Sequence, residues 1–135
     1  MNGAPISFRS AMQKFVTLSV TEAEIVAGVM VAQDMLYVYH LLESLELHVE
    51  LPMVLEMDNS GAVDLANSWS VSSKTRHVYV CNYFLQELKD QGLLVIKHIP
   101  GDRNDANIFT KNVMSAIFNP HIPLYVGSNE YLSQA

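Results

Sequence analysis

The feature that most constrains the fold is a long stretch without proline, from Thr21 to about Leu47. Its apolar residues recur at steps of three and four, which is the period of an amphipathic helix. Gly28 is the one weak helix former in its interior. We expect Thr21 or Ser19 to cap the helix, with acidic residues in the first turn, where the helix dipole favours anions. The sequence therefore predicts one long helix against which the rest of the chain must pack.

The rest of the chain is predicted to alternate strands with helices. Residues 5–8 and 15–19 alternate apolar and polar side chains, as half-buried strands do. The remaining predicted elements are a buried strand over Met53–Met57, helices over 60–67 and 74–91 with Gly92 as C-cap, a strand over Leu93–Ile99, a helix over 104–118 and an edge strand at Leu124–Val126. This order predicts an α/β fold with a mixed sheet flanked by helices.

Composition places the chain among small globular domains. Of its 135 residues, 50% are hydrophobic and 16% are charged, so we expect a packed core and no extensive disorder. The net charge of -6 argues against tight nucleic-acid binding unless the few cations are clustered. Gln33, Asp34 and Glu43 interrupt the longest apolar stretches. We therefore expect no membrane segment and an intracellular protein, in the cytoplasm or the nucleus.

Cys81 is the single cysteine, so no disulfide can form within the chain. We expect it to be a small buried apolar residue, because no recognised pattern pairs it with a histidine.

Two carboxylates could carry chemistry. Glu24 lies in the first turn of the long predicted helix, and Asp58 follows the predicted strand that ends at Met57. Because sites form beyond the carboxyl ends of strands, the two could hold a hard divalent cation through oxygen ligands. The alternative is structural, with Glu24 complementing the helix dipole and Asp58 capping the next helix.

Five short segments occur in order along the chain: Leu-Ser-Val-Thr-Glu-Ala-Glu at 18–24, Met-Asp-Asn-Ser-Gly-Ala at 57–62, Ser-Lys-Thr-Arg-His-Val at 73–78, His-Ile-Pro at 98–100 and Ala-Asn-Ile-Phe-Thr-Lys at 106–111. Together they resemble the ribonuclease H domain of copia-type retrotransposons. The resemblance covers about residues 4–113. It implies a ribonuclease H-like domain over 1–118, followed by a C-terminal tail over 119–135.

The resemblance assigns roles to the acidic residues. It implies that Glu24 is a metal-binding glutamate and that Asp58 is the aspartate that bridges two cations, with Glu22 facing outward and binding no metal. Mg²⁺ or Mn²⁺ would be the cofactor of any remaining activity. Paired cations need several anionic ligands to offset their repulsion.

The resemblance also implies a nucleic-acid contact. Lys74, Arg76 and His77 would touch the backbone of an RNA/DNA hybrid. Alternatively, the three form a solvated helix start. We expect Trp69 to pack within its loop and not to stack on a base.

The sequence departs from the family at several positions. Asn107 stands where the family has a metal-binding aspartate, and an amide carries no charge. Asp105 is two positions away on the predicted helix and so faces differently, while Asp102 lies in a turn. Residues 78–83 also replace a family segment that carries an acid, a base and a histidine.

The first family aspartate and its central strand are also expected to be absent, because the matched segments begin at the second strand. Unpaired strand edges would then need a partner, which favours a homodimer, although a fragment is the other possibility. We therefore expect a catalytically inactive domain that acts by self-association or by binding nucleic acid or protein. The alternatives are an active ribonuclease H that cleaves the RNA strand of hybrids, and an interaction module with a vestigial nucleic-acid face.

Overall fold

A computed structural model gives the fold for residues 6–13, 16–68, 76–110 and 114–126. The helices are α1 (Val20–Ser44), α2 (Ser60–Asn67), α3 (Arg76–Asp90), α4 (Asn107–Thr110), α5 (Ser115–Phe118) and α6 (Ile122–Val126), with a 3-10 turn at Asn119–His121 before α6. The strands are β1 (Met53–Met57) and β2 (Leu94–His98). The α/β class is confirmed.

The chain divides into two compact units. One consists of Phe15–Ile99, and the other combines Met1–Lys14 with Pro100–Ala135. The first unit contains the sheet and the three longest helices described, α1, α2 and α3.

The sheet is parallel and two-stranded in the part of the chain that is described. Met53 lies opposite Leu94, Leu55 opposite Ile96 and Met57 opposite His98. Because side chains alternate across a strand, Leu55, Met57, Leu94 and Ile96 bury one face of the sheet, each at most 4% exposed.

The core forms where α1, α2 and α3 cover that face. Ile25 and Leu85 are fully buried, and Ala62 and Ala66 give α2 a small, closely packed side. Gly28 lets α1 approach β1, since a Cβ there would lie 3.3 Å from Met57 Cε. A side chain at position 28 would therefore fit only if Met57 shifted by a few tenths of an ångström.

Two helix ends in the first unit carry the capping residues that the sequence predicts. Ser19 is the N-cap of α1, with its hydroxyl accepting from Glu22 N–H at 3.1 Å. Gly92 follows α3 with φ of +70°, and the Leu93 N–H donates to Leu88 O at 3.0 Å. This bond spans six residues, from Leu93 back to Leu88, and is characteristic of the Schellman motif at helix C-termini. The prediction that Gly92 ends the helix is therefore confirmed.

Five predictions about secondary structure are wrong. Residues 6–8 and 16–19 form no strand, while Pro5 and Phe15 lie outside the described residues. Leu124–Val126 belongs to helix α6 and not to an edge strand. The predicted helix over 104–118 starts at Asn107 and is interrupted at Met114, whose ψ of 154° is extended. The described sheet is parallel and not mixed. Alternation alone does not make a strand, because the ladder bonds must come from a neighbouring strand.

Candidate functional site

The start of α1 is fixed by a reciprocal pair of hydrogen bonds. Besides the Ser19 cap, the Leu18 N–H donates to Glu22 Oε2 at 2.9 Å. This arrangement is a variant of the capping box, in which the third helical residue folds back over the cap. Glu22 is consequently only 8% exposed. The prediction that Glu22 faces outward is therefore wrong, because its carboxylate binds the backbone that precedes the helix.

The starts of α1 and α2 lie against each other. A Cβ on Gly61 would be 3.4 Å from Thr21 Oγ1. Glu24 lies three positions after Thr21 and Asp58 three positions before Gly61, and both side chains are half-buried. Each predicted ligand is therefore three residues along the chain from this contact.

Asp58 does not cap α2. The Asn59 side chain does so, with its Oδ1 accepting from the Ala62 N–H at 3.0 Å. The alternative interpretation, in which Asp58 caps α2, is therefore wrong. The N-cap residue of α2 is Asn59, one position after Asp58.

Asn107 lies in the second unit, at the first residue of α4. Its side chain is buried, and Nδ2 donates to the Gly101 carbonyl at 2.6 Å. This bond needs an N–H donor, which an ionised aspartate lacks. The Asn107 amide therefore has a structural use, because it closes the loop that precedes α4.

The metal site stays a prediction. Among the residues that the structure describes, no group of three or more His, Cys, Asp or Glu side chains is placed to hold a metal ion. Glu24 and Asp58 remain a pair of oxygen donors of the kind that Mg²⁺ and Mn²⁺ use.

The predicted nucleic-acid face is described in part. Arg76 and His77 are exposed at the start of α3, while Lys74 and Trp69 lie outside the described residues.

His77 Nε2 lies 3.8 Å from Cys81 Sγ, one turn along the helix. Burial raises the pKa of the Cys81 thiol, which keeps it protonated. The prediction of a buried Cys81 is confirmed, although a histidine contact was not expected.

One polar cluster in the second unit was missed from the sequence. His121 Nδ1 contacts Asp105 Oδ1, and the Tyr125 hydroxyl donates to the Asp105 carbonyl at 3.1 Å. Burial and then the Asp105 charge raise the pKa of Tyr125. A shallow cavity of about 460 Å³ beside the cluster is lined by Asp102, Arg103, Ala116, Pro120 and His121. His121 and Asp105 are sixteen positions apart in the sequence, so no local sequence pattern predicts their contact.

Helix α1 ends at Ser44, slightly earlier than predicted, and is apolar over much of its 25 residues. Among the residues described it is the helix whose length and composition would suffice to cross a membrane. Core helices share that property, and Ile25 and Ala32 of α1 are at most 1% exposed within the core.

Comparisons with known proteins point to transposons. Over 112 residues, which is 83% of the chain, the sequence is 32% identical to the retrovirus-related Pol polyprotein from transposon TNT 1-94 of Nicotiana tabacum. The corresponding polyproteins from transposons RE1 and RE2 of Arabidopsis thaliana are 29% and 28% identical over 114 residues, 84% of the chain.

The chain is homologous to part of transposon Pol polyproteins. It spans about 8% of the length of these relatives. The homology supports a retrotransposon origin. No family model matches the chain. No solved structure matches it either.

Proposed function

We propose that this chain is a ribonuclease H-like domain derived from a copia-type retrotransposon. In this proposal the domain does not cleave RNA/DNA hybrids and acts inside the cell, in the cytoplasm or nucleus, by self-association or by binding nucleic acid or protein. The homology to transposon Pol polyproteins supports the origin. The five ordered segments support the choice of domain within such a polyprotein.

The observation that carries the proposed loss of cleavage is the Asn107 side chain. Its amide donates to the Gly101 carbonyl at 2.6 Å, so the side chain has a structural use at a position where the family motif has a ligand. An amide oxygen also brings no negative charge to offset the repulsion between two cations.

Glu24 and Asp58 would still fit a single Mg²⁺ or Mn²⁺. Both are half-buried carboxylates near the contact between α1 and α2, and water would complete the coordination of a hard cation. A bound cation would hold phosphate oxygens by charge, which suits binding of a nucleic acid without its hydrolysis. The positive side chains Lys74 and Arg76 would add phosphate contacts.

The second candidate is an active ribonuclease H. The contact between Thr21 of α1 and Gly61 of α2 supports this candidate, because Glu24 and Asp58 are each three residues from it in sequence. This candidate needs further anionic ligands, and Asp58 would be indispensable to it.

Hybrid cleavage in Mg²⁺ and in Mn²⁺ decides between the two. The chain, Asp58→Asn and Glu24→Gln should be assayed side by side on an RNA/DNA hybrid labelled on the RNA strand. We expect no cleavage above that of Asp58→Asn in either metal. Cleavage by the unmodified chain that Asp58→Asn abolishes would establish the active enzyme instead.

Binding is measured on the same hybrid by fluorescence anisotropy. We expect Arg76→Ala to weaken binding about equally for all hybrid sequences and to reduce its salt dependence, as removal of one phosphate contact does. Lys89→Ala is the matched control, because it removes the same charge from the opposite end of α3. Hybrid binding unaffected by Arg76→Ala would leave protein binding as the proposed activity.

A further inference from the structure

The shallow cavity in the second unit has a charged lining that the candidate cation site does not use. Asp102, Arg103 and His121 line it, together with the apolar residues Ala116 and Pro120. All of them belong to the second unit, whereas both carboxylates of the candidate cation site belong to the first. The cavity is therefore a separate place for a ligand, and the chemistry of that ligand follows from these side chains.

The imidazole of His121 is held in one orientation. Its Nδ1 contacts Asp105 Oδ1, and an ionised carboxylate only accepts, so Nδ1 carries the proton of this bond. The Tyr125 hydroxyl donates to the Asp105 carbonyl at 3.1 Å and so fixes the acidic partner from a second direction. The His121 side chain is 11% exposed and lines the cavity. Because Nε2 diverges from Nδ1 on the ring, it is directed away from Asp105 and can bind a second partner.

Arg103 supplies a second donor at the same cavity. The turn that carries it is held by the Arg103 N–H, which donates to the Pro100 carbonyl at 2.9 Å, and by the Asn107 amide, which donates to the Gly101 carbonyl at 2.6 Å. Guanidinium groups bind oxyanions through paired N–H donors. Arg103 and a protonated His121 therefore suit the oxygens of phosphate or sulfate.

Asp102 discriminates between these oxyanions. A carboxylate in the lining repels an anion that has no proton to donate, as sulfate does at neutral pH. A phosphate monoester has its second pKa near 6, so it carries one O–H in part of its population. That O–H can donate to the Asp102 carboxylate, which accepts only. The lining therefore favours phosphate over sulfate.

The size of the cavity favours a phosphate ester over the free ion. The cavity measures about 460 Å³, within the range of about 300–1,000 Å³ that is usual for ligand pockets. A phosphate group alone fills only a small part of it. Ala116 and Pro120 add an apolar part to the lining, which suits the carbon atoms of an ester.

We propose that this cavity binds a phosphate monoester, with the phosphate between Arg103 and His121 and its O–H donating to Asp102. The proposal uses no residue of the candidate cation site and is independent of hybrid cleavage. Two sources share this chemistry, a small sugar phosphate and the 5′-phosphate end of a nucleic acid. Because the site is open and water screens its charges, we expect a dissociation constant on the order of 1 mM.

Backbone-amide NMR titration with ribose 5-phosphate tests the site. At about pH 6, ordinary imidazoles and phosphate monoesters both have large singly protonated populations. We expect shifts concentrated in residues 101–105 and 116–121, and an affinity at least about fivefold lower in Arg103→Ala. Lys97→Ala is the matched control, because it removes an exposed cation from β2 in the first unit and should leave the affinity unchanged.

Two substitutions at His121 separate ligand binding from support of the loop. In His121→Asn the amide N–H replaces Nδ1 and keeps the contact with Asp105, but nothing replaces Nε2, so the affinity should fall as in Arg103→Ala. In His121→Gln the longer amide extends towards the position of Nε2 and should retain more of the affinity. Equal losses in the two variants would contradict a direct contact between Nε2 and the phosphate.

Asp102→Asn tests the selectivity. The unmodified chain should bind ribose 5-phosphate at least about tenfold more tightly than sulfate, with inorganic phosphate between them. Asp102→Asn should bind sulfate several-fold more tightly than the unmodified chain does, because the repelling charge is gone. A gain of this kind cannot arise from misfolding.

A DNA oligonucleotide with and without a 5′-phosphate distinguishes the two sources. Tighter binding of the phosphorylated form that is lost in Arg103→Ala assigns the site to nucleic-acid ends. Equal binding of the two forms, with ribose 5-phosphate still bound, assigns the site to small phosphate esters.

Three results overturn the proposal: no localised shifts at ribose 5-phosphate concentrations well above the expected constant, equal affinities of the unmodified chain for sulfate and ribose 5-phosphate, or equal losses in Arg103→Ala and Lys97→Ala. Hybrid cleavage that requires Asp58 would remove the proposed loss of activity and leave this cavity unaffected, so the two failures are distinguishable.

Discussion

Residues 16–99 and residues 100–126 differ in the contacts that the structure describes. Among the side chains described, all buried apolar ones lie between Ile25 and Ile96. The contacts described in the later residues are polar: Asn107 binds Gly101, and Asp105 is contacted by His121 and Tyr125. The first region is therefore stabilised chiefly by removal of apolar surface from water, whereas the described part of the second shows hydrogen bonds and one charge-dependent pair.

The difference bears on the proposed loss of cleavage. Glu24 and Asp58 belong to the first region. Asn107 belongs to the second region, where its amide binds the Gly101 carbonyl. In the proposed assignment, the exchange at position 107 replaces a metal ligand with a structural bond and leaves the apolar core of the first region unchanged.

The largest expected effect is in the first region. Leu85 is fully buried, so Leu85→Ala should lower the free energy of unfolding by about 3 kcal/mol, from lost burial and the cavity left behind. The measurement is denaturant unfolding followed by circular dichroism. Leu47→Ala, at a site 53% exposed, should cost less than about 0.5 kcal/mol. Equal losses in the two variants would contradict the core assignment.

Asn107→Asp should destabilise the second region next most strongly, by about 2 kcal/mol at neutral pH. The ionised carboxylate cannot donate to the Gly101 carbonyl and sets two oxygens against each other. Native-state hydrogen exchange should show faster opening in residues 100–110 and unchanged protection in α1 and α3. The loss should shrink at acid pH, where the carboxyl is protonated and can donate. Uniformly faster hydrogen exchange across the chain would contradict the expectation that this bond stabilises the second region alone.

Ser19→Ala should lower the free energy of unfolding by about 1 kcal/mol, since it leaves the Glu22 N–H without its cap. Ser44→Ala, at the exposed other end of the same helix, removes only a bond to the Leu41 carbonyl and should cost less. Thermal unfolding of the two variants compares them directly. A larger loss from Ser44→Ala would refute the assigned role of the capping box.

The smallest effect is expected at Tyr125. Its hydroxyl bond to the Asp105 carbonyl should contribute about 0.5 kcal/mol. Because the pKa of Tyr125 is raised in the fold, this contribution is fully present below the ordinary tyrosine pKa near 10 and is lost as the pH rises through the folded value. Tyr125→Phe should therefore remove part of the alkaline decline in stability. An unchanged alkaline decline would rule out this linkage.

The sequence predicted the first region well because its signals are local. The apolar run at Met53–Met57 and the glycine at 92 each determine one boundary, and these boundaries were confirmed. The inward position of Glu22 could also have been found, since Ser19 and Glu22 have the spacing of a capping box.

The sequence predicted the rest less well because the deciding contacts are distant. Residues 16–19 have the alternation of a strand, but the choice depends on a neighbouring strand, and Ser19 instead caps α1. The pairing of His121 with Asp105 links residues sixteen positions apart. For the candidate site, the sequence pattern predicted Glu24 and Asp58. The role of Asn107 as a hydrogen-bond donor could be recognised only from the position of the Gly101 carbonyl in the structure.

The central claim is that this domain retains its retrotransposon-derived fold without cleaving hybrids. The most direct measurement is to pass the chain through a size-exclusion column and to assay each fraction for both oligomeric state and hybrid cleavage in Mn²⁺. The account predicts that no cleavage follows the protein peak, whether monomer or dimer. Cleavage that coelutes with the chain and is absent from the Asp58→Asn preparation would contradict it.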